Sequence, residues 1–397
     1  MKVVIIGSGI AAVEAASKIR ELDANAQIDI FSRENVLPYR RPALTRMISE
    51  TLSDIQFYIK PEKFYHEQNI RLHLGTIITS IDRKNKTVSL AGGQLEKYDK
   101  LLIATGGRCF IPPIQGVELP GVLSLREKND LDTLLKNIDK GIKNIVIIGG
   151  GLLGLETADN LSKLGVNVTV VEACPSMLPN QIDAEGAELF AMSIKANSNI
   201  KIRYGVFISH ISGHDQVNGL LTQSGERIPC ELVIISAGVK CNIELGHDAL
   251  LKTKRTIDVD EYMQTSDPDI YAAGDCASCM NDRFIGLWNA ARDQGAVAGA
   301  NIAGHKINYI PAIYGARLTA FGTKLFSVGD IGNKDGEYKK ISTRDELHLN
   351  YRKLFFKDGA LVGGVLLGDV SMALKLQKAV EEHHSLEQVE TDNLICR

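Results

Sequence analysis

The chain is poor in the features that mark several protein classes. It has a single tryptophan and seven cysteines in 397 residues. The thiols are Cys109, Cys174, Cys230, Cys241, Cys276, Cys279 and Cys396, odd in number and scattered. That pattern argues against a disulfide framework and for reduced thiols in a cytoplasm. No cysteine precedes Cys109, so no thiol chemistry originates in the N-terminal stretch. No apolar run reaches the roughly 18 residues of a membrane span, and the chain opens on a strand pattern without a charged-then-apolar leader, so neither a span nor a signal peptide is expected. Neither sign of charge dominates. Lys and Arg total 45 against 48 acidic residues, for a formal net of -3, and no basic block is present. Nucleic acid is therefore not supported as a partner. What is abundant is apolar residues, 44%, and glycine, 36 residues. About two or three domains fit this length, at roughly 150 residues each.

The stretch from Asn144 to Glu172 organises the rest. A β-branched run, Ile145 to Ile148, enters a glycine turn, a helical pattern follows, Gly165 punctuates, and a second β run ends on Glu172. The turn carries Gly149-x-Gly151-x-x-Gly154. Gly149 permits the tight turn, Gly151 lets the backbone approach a pyrophosphate, and Gly154 lets the helix pack on the strand. The helix N-terminus then offers free N–H groups and a positive dipole end to phosphates. Glu172 stands where an acid accepts hydrogen bonds from an adenosine ribose.

Residues 2 to 31 repeat the unit. Val3 to Ile6 is a strand, Gly7-Ser8-Gly9-Ile10-Ala11-Ala12 the turn, and Ile28 to Phe31 the next strand. Ala12 replaces the third glycine and still allows close packing. Ser32 ends the strand and Glu34 lies just beyond; either could reach a ribose. Two such units imply two dinucleotides, or a duplication with one dead copy.

Leu37-Pro38-Tyr39-Arg40-Arg41-Pro42-Ala43-Leu44-Thr45-Arg46 follows. It is either a solvated basic loop or a positive cluster beside an anionic cofactor. The segment resembles the Pro-Tyr-x-Arg-Pro-x-Leu-Ser-Lys stretch of FAD-dependent NAD(P)H reductases for rubredoxins and ferredoxins, a branch of the pyridine nucleotide-disulfide oxidoreductase superfamily that lacks the redox-active cysteines. The resemblance implies a flavin contact for Arg41. It puts Arg46 where the branch has a catalytic Lys near the flavin. The fold it implies is α/β: a two-dinucleotide-binding-domain flavoprotein, an FAD Rossmann-like domain with an inserted NAD Rossmann-like domain, plus a small α+β C-terminal domain. Residues 1–112 and 243–308 would form the FAD domain, 113–242 the NAD domain and 309–397 the C-terminal domain.

Further motifs fall in the order the resemblance requires. Residues 70 to 103 look like a β-rich insertion, in which Ile78 would meet the adenine. Ile103-Ala104-Thr105-Gly106 matches a short turn whose small residues let the chain pass close to the cofactor. Residues 108 to 125, with Pro112-Pro113, Gly116 and Pro120-Gly121, read as a linker. Glu156 takes the position expected to hold the nicotinamide end, though helical spacing alone allows a solvated residue. Leu232 to Val239 closes on Ser236-Ala237-Gly238. Thr265 to Asp275 reads T-S-D-P-D-I-Y-A-A-G-D, the most specific string in the chain. After a buried strand a carboxylate needs hydrogen-bond donors, and the ribityl chain of a flavin would supply them to Gly274-Asp275. Trp288 begins a helix whose positive end is expected at the flavin pyrimidine, or else it is ordinary core. Cys276-x-x-Cys279 lacks a second pair to complete a metal site, so no metal is assigned; the spacing reads as coincidence, the alternative being a metal, cluster or redox site shared with a partner subunit. From Asn308 onward strands dominate (Ala316 to Val328, His348 to Phe356, Ala360 to Leu367), and a helix follows from Ser371 to about Glu382.

The expected activity is an FAD-dependent NADH reductase of the cytoplasm. It passes electrons to a small iron or iron–sulfur protein (rubredoxin or ferredoxin), or to a partner subunit. Oxygen reduction, a flavin-subunit role in a larger iron–sulfur enzyme, and an NADH-responsive binding flavoprotein are the alternatives. Monomer, homodimer and complex subunit are all compatible with this sequence. Residues 173–175 carry no Arg or Lys to meet a 2′-phosphate beside Glu172. NADH is therefore expected to be the better donor, and steady-state kcat/KM values for NADH and NADPH check it.

Overall fold

A computed structural model describes residues 1–279, 286–332 and 336–394. Two five-stranded parallel sheets dominate it. In the first, strand Lys2–Ile6 is central, flanked by Gln27–Phe31 and then Ile70–His73 on one side. Lys100–Ile103 and then Ile270–Ala272 lie on the other side. In the second, Asn144–Ile148 is central, with Asn167–Val171 and Lys201–Arg203 to one side. Leu232–Ile235 and Val122–Ser124 lie to the other. The connectivity around the two central strands is the same. In each sheet the chain leaves the central strand in opposite directions, which opens a crevice at the carboxyl ends of the strands. The strands are apolar on both faces (Val3, Val4 and Ile5 have no exposure) because helices or loops cover both sides.

A three-stranded antiparallel meander decorates each sheet: Ile78–Asp82, Thr87–Leu90 and Leu95–Lys97 beside the first, Ile208–Gly213, Val217–Thr222 and Arg227–Pro229 beside the second. The β-rich insertion expected over residues 70 to 103 is thus smaller. Ile70–His73 and Lys100–Ile103 belong to the parallel sheet, and only the strands between them form the meander. A fully buried strand and a meander strand carry the same β-branched composition, so composition does not separate them.

The C-terminal sheet is antiparallel, ordered Ala316–Ala320, Thr323–Gly329, Ala360–Leu367, Asn350–Lys357, Lys339–Asp345. The single strand expected from Ala316 to Val328 turns at Phe321-Gly322 into a hairpin. Strand Lys339–Asp345 had no sequence signal, because it is an exposed edge strand with almost no buried residue. The turn of that hairpin is docked on the second parallel domain. Asp159 accepts from the Phe321 N–H at 2.9 Å, and Ser193 Oγ donates to the Phe321 carbonyl at 2.9 Å. Lys353, 9% exposed at its side chain, pairs with Asp183 at 2.6 Å and Glu185 at 2.7 Å. One apolar core accordingly runs through Tyr39, Leu44, Leu155, Phe190, Phe321 and Phe355. The segment from Tyr39 to Phe57 packs there and not on the first sheet.

Helices Ile10–Leu22 and Trp288–Ile302 cross face to face in the first domain. Small residues meet at the closest points. A Cβ at Gly295 would lie 2.3 Å from the Ala11 carbonyl oxygen, and one at Gly299 2.5 Å from that of Ala15. Backbone cannot yield as a side chain does, so Gly295→Ala should destabilise the protein by about 1–3 kcal/mol. A lowered denaturant midpoint checks it; an unchanged midpoint would show that the helices can part freely.

Candidate functional site

At the end of each central strand a glycine takes a positive φ, +109° at Gly7 and +118° at Gly149. A Cβ there would lie 2.1 Å from the Ala104 carbonyl oxygen at Gly7 and 2.3 Å from that of Ser236 at Gly149. The turn at Ala104-Thr105-Gly106 and the turn at Ser236-Ala237-Gly238 therefore do the same work: each passes over the glycine loop of its own sheet. Gly9 and Gly151 are the N-caps of helices Ile10–Leu22 and Leu152–Lys163. Both adopt extended φ/ψ, neither helix has a side-chain cap, and a Cβ at either glycine would meet nothing within 4 Å. The third positions are closed. Ala12 is fully buried, and a Cβ at Gly154 would lie 2.1 Å from the Gly149 carbonyl oxygen. Uncapped N–H groups over open space, walled by residues too small to intrude, fit a dinucleotide pyrophosphate at both sites.

The remaining residues of the first site divide into those presented to the crevice and those already engaged. Asp275 follows Gly274, at φ +84°, and its Oδ2 accepts from Arg126 Nη2 at 2.7 Å. Among the described residues no hydrogen bond reaches Oδ1, and the side chain is 16% exposed. A half-satisfied carboxylate of this kind fits a polyol donor. Ser32 bonds to Ser8 Oγ at 2.8 Å, and Glu34 is engaged by the loop that follows it: Tyr39 OH donates to it at 2.7 Å and Arg41 Nη2 at 2.9 Å. Glu34 is thus placed to brace the Tyr39–Arg41 loop, and Arg41 in turn donates to the Arg126 carbonyl at 2.6 Å. Ile78 is buried at the start of its meander strand. Trp288 is partly buried against the first core at the start of its helix.

Two residues in this region were missed at the sequence level. Arg126 bridges Gly107 O, at 3.0 Å, and Asp275. It stands immediately after the stretch that reads as linker, and a lone arginine there carries no periodic signal. Asn242 ties the Ala104-Thr105-Gly106 turn from both sides, donating Nδ2 to Thr105 O at 2.9 Å and accepting from Thr105 Oγ1 at its carbonyl at 2.7 Å. Its N–H also donates to Gly106 O at 2.9 Å. Gly238, at φ +113°, accepts the Phe110 N–H nearby. Both crossings between the first and second domains are held at this point.

At the second site Glu172 accepts two backbone N–H groups, from Gly150 at 2.6 Å and Cys174 at 2.8 Å. A carboxylate has about four lone-pair sites, so a ribose can share it. Residues 173–175 bring no cation, but the fold does bring Arg203, whose carbonyl takes the Glu172 N–H. Its guanidinium is engaged by Glu226, with Nη1 to Oε1 at 2.7 Å.

Where the two sites meet, Arg46 pairs with a neighbour on its own turn. Its guanidinium turns outward to Glu50, one helical turn on, at 2.8 Å, with half the side chain exposed. The group facing inward is Glu156, which accepts from Thr45 Oγ1 at 3.2 Å. Burial, with Asp159 on the same helix, pushes the Glu156 carboxyl up to about 7 against the opposing pull of that hydrogen bond.

Cys276 and Cys279 are both buried and free. Cys276 Sγ lies 3.4 Å from the Ile103 and Ala273 carbonyls. Burial pushes the Cys279 thiol up to about 11, away from reactivity. The six described cysteines are free, and no cluster of three or more His, Cys, Asp or Glu that could hold a metal occurs among the described residues. Cys396 lies outside the described residues. Among the described residues no helix is long and apolar enough to cross a membrane.

This geometry has known counterparts. The family model for pyridine nucleotide-disulphide oxidoreductases matches residues 1–295, and that for the rubredoxin NAD+ reductase C-terminal domain matches residues 316–384. The chain is 31% identical to the NADH-rubredoxin oxidoreductase of Clostridium acetobutylicum, covering 98% of this chain and 96% of that one. It is 31% identical to the nitrite reductase [NAD(P)H] of Bacillus subtilis, covering 98% of this chain but only 48% of the relative. The crystal structure of a ferredoxin reductase from Rhodopseudomonas palustris superposes with a TM-score of 0.89 at 28% identity, covering 98% of this chain and 96% of that one. Fold, crevices and matches agree that the chain belongs to the pyridine nucleotide-disulphide oxidoreductase family.

Proposed function

We propose that this chain is an FAD-dependent NADH reductase that passes electrons to a small iron or iron–sulfur protein of the rubredoxin or ferredoxin kind. The observation that carries the reading is the pair of open glycine crevices in one chain whose N-terminal stretch, up to Cys109, holds no thiol. Disulfide chemistry in that stretch has no atoms to use. The C-terminal match to rubredoxin reductases supports the choice of acceptor. The free thiols among the described residues, five of the six buried, support a reducing compartment such as the cytoplasm.

In this reading the first crevice takes FAD. Gly7 and Gly9 lie under its pyrophosphate, Arg126 and Asp275 reach its polar chain, Ile78 meets its adenine and Trp288 opens the helix at its ring. The flavin supplies what side chains lack, hydride acceptance followed by one-electron release. The second crevice takes NADH, with Gly149, Gly151 and Gly154 at the pyrophosphate and Glu172 at the adenosine ribose. Thr45 and Glu156 line the junction between the two. The protein's own work is to hold the two rings together and keep water out.

A second reading keeps this chemistry but makes the chain the flavin-bearing part of a larger assembly. It is favoured by the nitrite reductase match, which occupies 48% of that relative.

Anaerobic stopped-flow separates these readings. NADH should bleach the flavin, and reoxidation should be fast with rubredoxin or ferredoxin and slow with oxygen. Fast reoxidation by oxygen alone would make the protein an oxidase; no bleaching by NADH would remove the proposal. Arg126→Ala should weaken flavin retention by about tenfold, the loss of one charge-assisted hydrogen bond worth roughly 1.5–3 kcal/mol. Flavin content after dilution and filtration measures it.

A further inference from the structure

The two nucleotide units repeat one backbone pairing past their third strands. In the first domain the Ser32 N–H donates to the His73 carbonyl at 3.0 Å, and the Thr76 N–H donates back to the Ser32 carbonyl at 2.7 Å. In the second the Glu172 N–H donates to the Arg203 carbonyl at 2.9 Å, and the Val206 N–H donates back to the Glu172 carbonyl at 3.0 Å. Arg203 therefore takes the place of His73. Ile208 takes the place of Ile78, each opening its meander. Ile78 is the residue read as the adenine contact of the first crevice, so the same reading brings the adenosine of the second dinucleotide to the segment from Arg203 to Ile208. Two aromatic side chains stand uncovered there, Tyr204 at 37% and Phe207 at 53% exposure.

Arg203 is a cation at that end of the crevice, and it is engaged. Its guanidinium makes two parallel bonds to Glu226, Nη1 to Oε1 at 2.7 Å and Nη2 to Oε2. This fork-to-fork pairing holds the Glu226 carboxyl below its ordinary range. The two domains supply the acid differently. His73 meets Asp29 on the adjacent strand at 2.8 Å, but the register puts Thr169 at that position in the second sheet. The acid comes instead from the meander. Glu226 closes a hairpin turn, its N–H on Thr222 Oγ1 at 3.0 Å and its carbonyl taking the Thr222 N–H at 2.9 Å. The turn is thus held by backbone and hydroxyl contacts, and among the described residues the Glu226 carboxylate bonds to Arg203 alone. The sequence offers no substitute cation after Glu172, since no Lys or Arg occurs from 173 to 194.

We infer that Arg203 and Glu226 form a specificity lock: Arg203 is a latent contact for the 2′-phosphate of NADPH, and Glu226 keeps it occupied. This rests on the proposed NADH reading and deepens it. A guanidinium matches a phosphate through the same two-bond geometry that it now gives to a carboxylate. With Glu226 in place, a 2′-phosphate meets Glu172 with no free cation to offset it, and like charges at short range repel. The 2′-hydroxyl of NADH carries no charge and is indifferent to the pair. Discrimination so has two parts. Glu172 favours the ribose hydroxyls, and Glu226 withholds the cation that a phosphate needs.

Glu226→Gln releases Arg203 and leaves the contacts of the turn intact. In the holoenzyme kcat/KM for NADPH should rise roughly tenfold, the scale of one charge-assisted contact, and that for NADH should stay within about twofold. Calorimetry on the oxidised holoenzyme, with 2′,5′-ADP and 5′-AMP as probes, reads the same contact without turnover. Glu226→Gln should tighten 2′,5′-ADP roughly tenfold and leave 5′-AMP unchanged. Combining Arg203→Met with Glu226→Gln should return both readouts to the wild-type values. Equal gains for the two probes would reduce the effect to net charge, and a gain that survives in the double variant would remove Arg203 from it. Either result overturns the inference, as does no gain at all. A wild-type holoenzyme that uses NADPH better than NADH would instead bring down the NADH reading beneath it.

Discussion

The structure depends on two close backbone approaches. Gly7 and Gly149 sit at positive φ with a carbonyl oxygen just over 2 Å from where a side chain would begin. In each sheet the strand that closes the crevice must pass over the glycine loop of the central strand, and only a residue without Cβ lets it pass. That contact brings the closing turn (Ala104 to Gly106, or Ser236 to Gly238) beside the helix N-terminus. Crevice, uncapped helix and small-residue wall thus follow from one steric condition met twice.

The two crevices are held in relation by polar contacts as well as by the apolar packing of the Tyr39–Phe57 segment. Asn242 laces the Ala104 turn where the chain returns from the second domain. Arg126 does the same where the chain enters it, linking Gly107 to Asp275. Glu34, Tyr39 and Arg41 fasten the intervening loop to the Arg126 carbonyl and the Lys128 N–H. Such directional bonds hold position without needing a large dry interface, and they leave the space above the glycines open. The Phe321 hairpin turn grips the second nucleotide domain through Asp159 and Ser193, on two of its helices. The helix that carries Glu156 is therefore held from the flavin side and from the C-terminal side.

Arg46 and Glu156 show how far motif matching extends. A basic residue at position 46 keeps the sign of a charge. The guanidinium finds Glu50 one turn away in solvent, and Glu156 accepts from the Thr45 hydroxyl.

The glycine units, the Thr265 to Asp275 string and the lack of early cysteines were legible because each is local: a few consecutive residues meet a steric or chemical demand within one turn. The central strand pair of each parallel sheet and the expected crevices follow from those units. The linear chain alone could not show that Ile70–His73 and Lys100–Ile103 join the parallel sheet. Nor could it show that Glu34 is spent on Tyr39 and Arg41, that Arg126 and Asn242 belong to the flavin crevice, or that Lys339–Asp345 is a strand. The sheet joins and the contacts of Arg126 and Asn242 depend on partners tens to more than a hundred residues away, and no periodicity encodes a long-range hydrogen bond. Sequence determined which backbone turns had to exist; tertiary structure decided which side chains were left free to act, because that depends on who else has already claimed their hydrogen bonds.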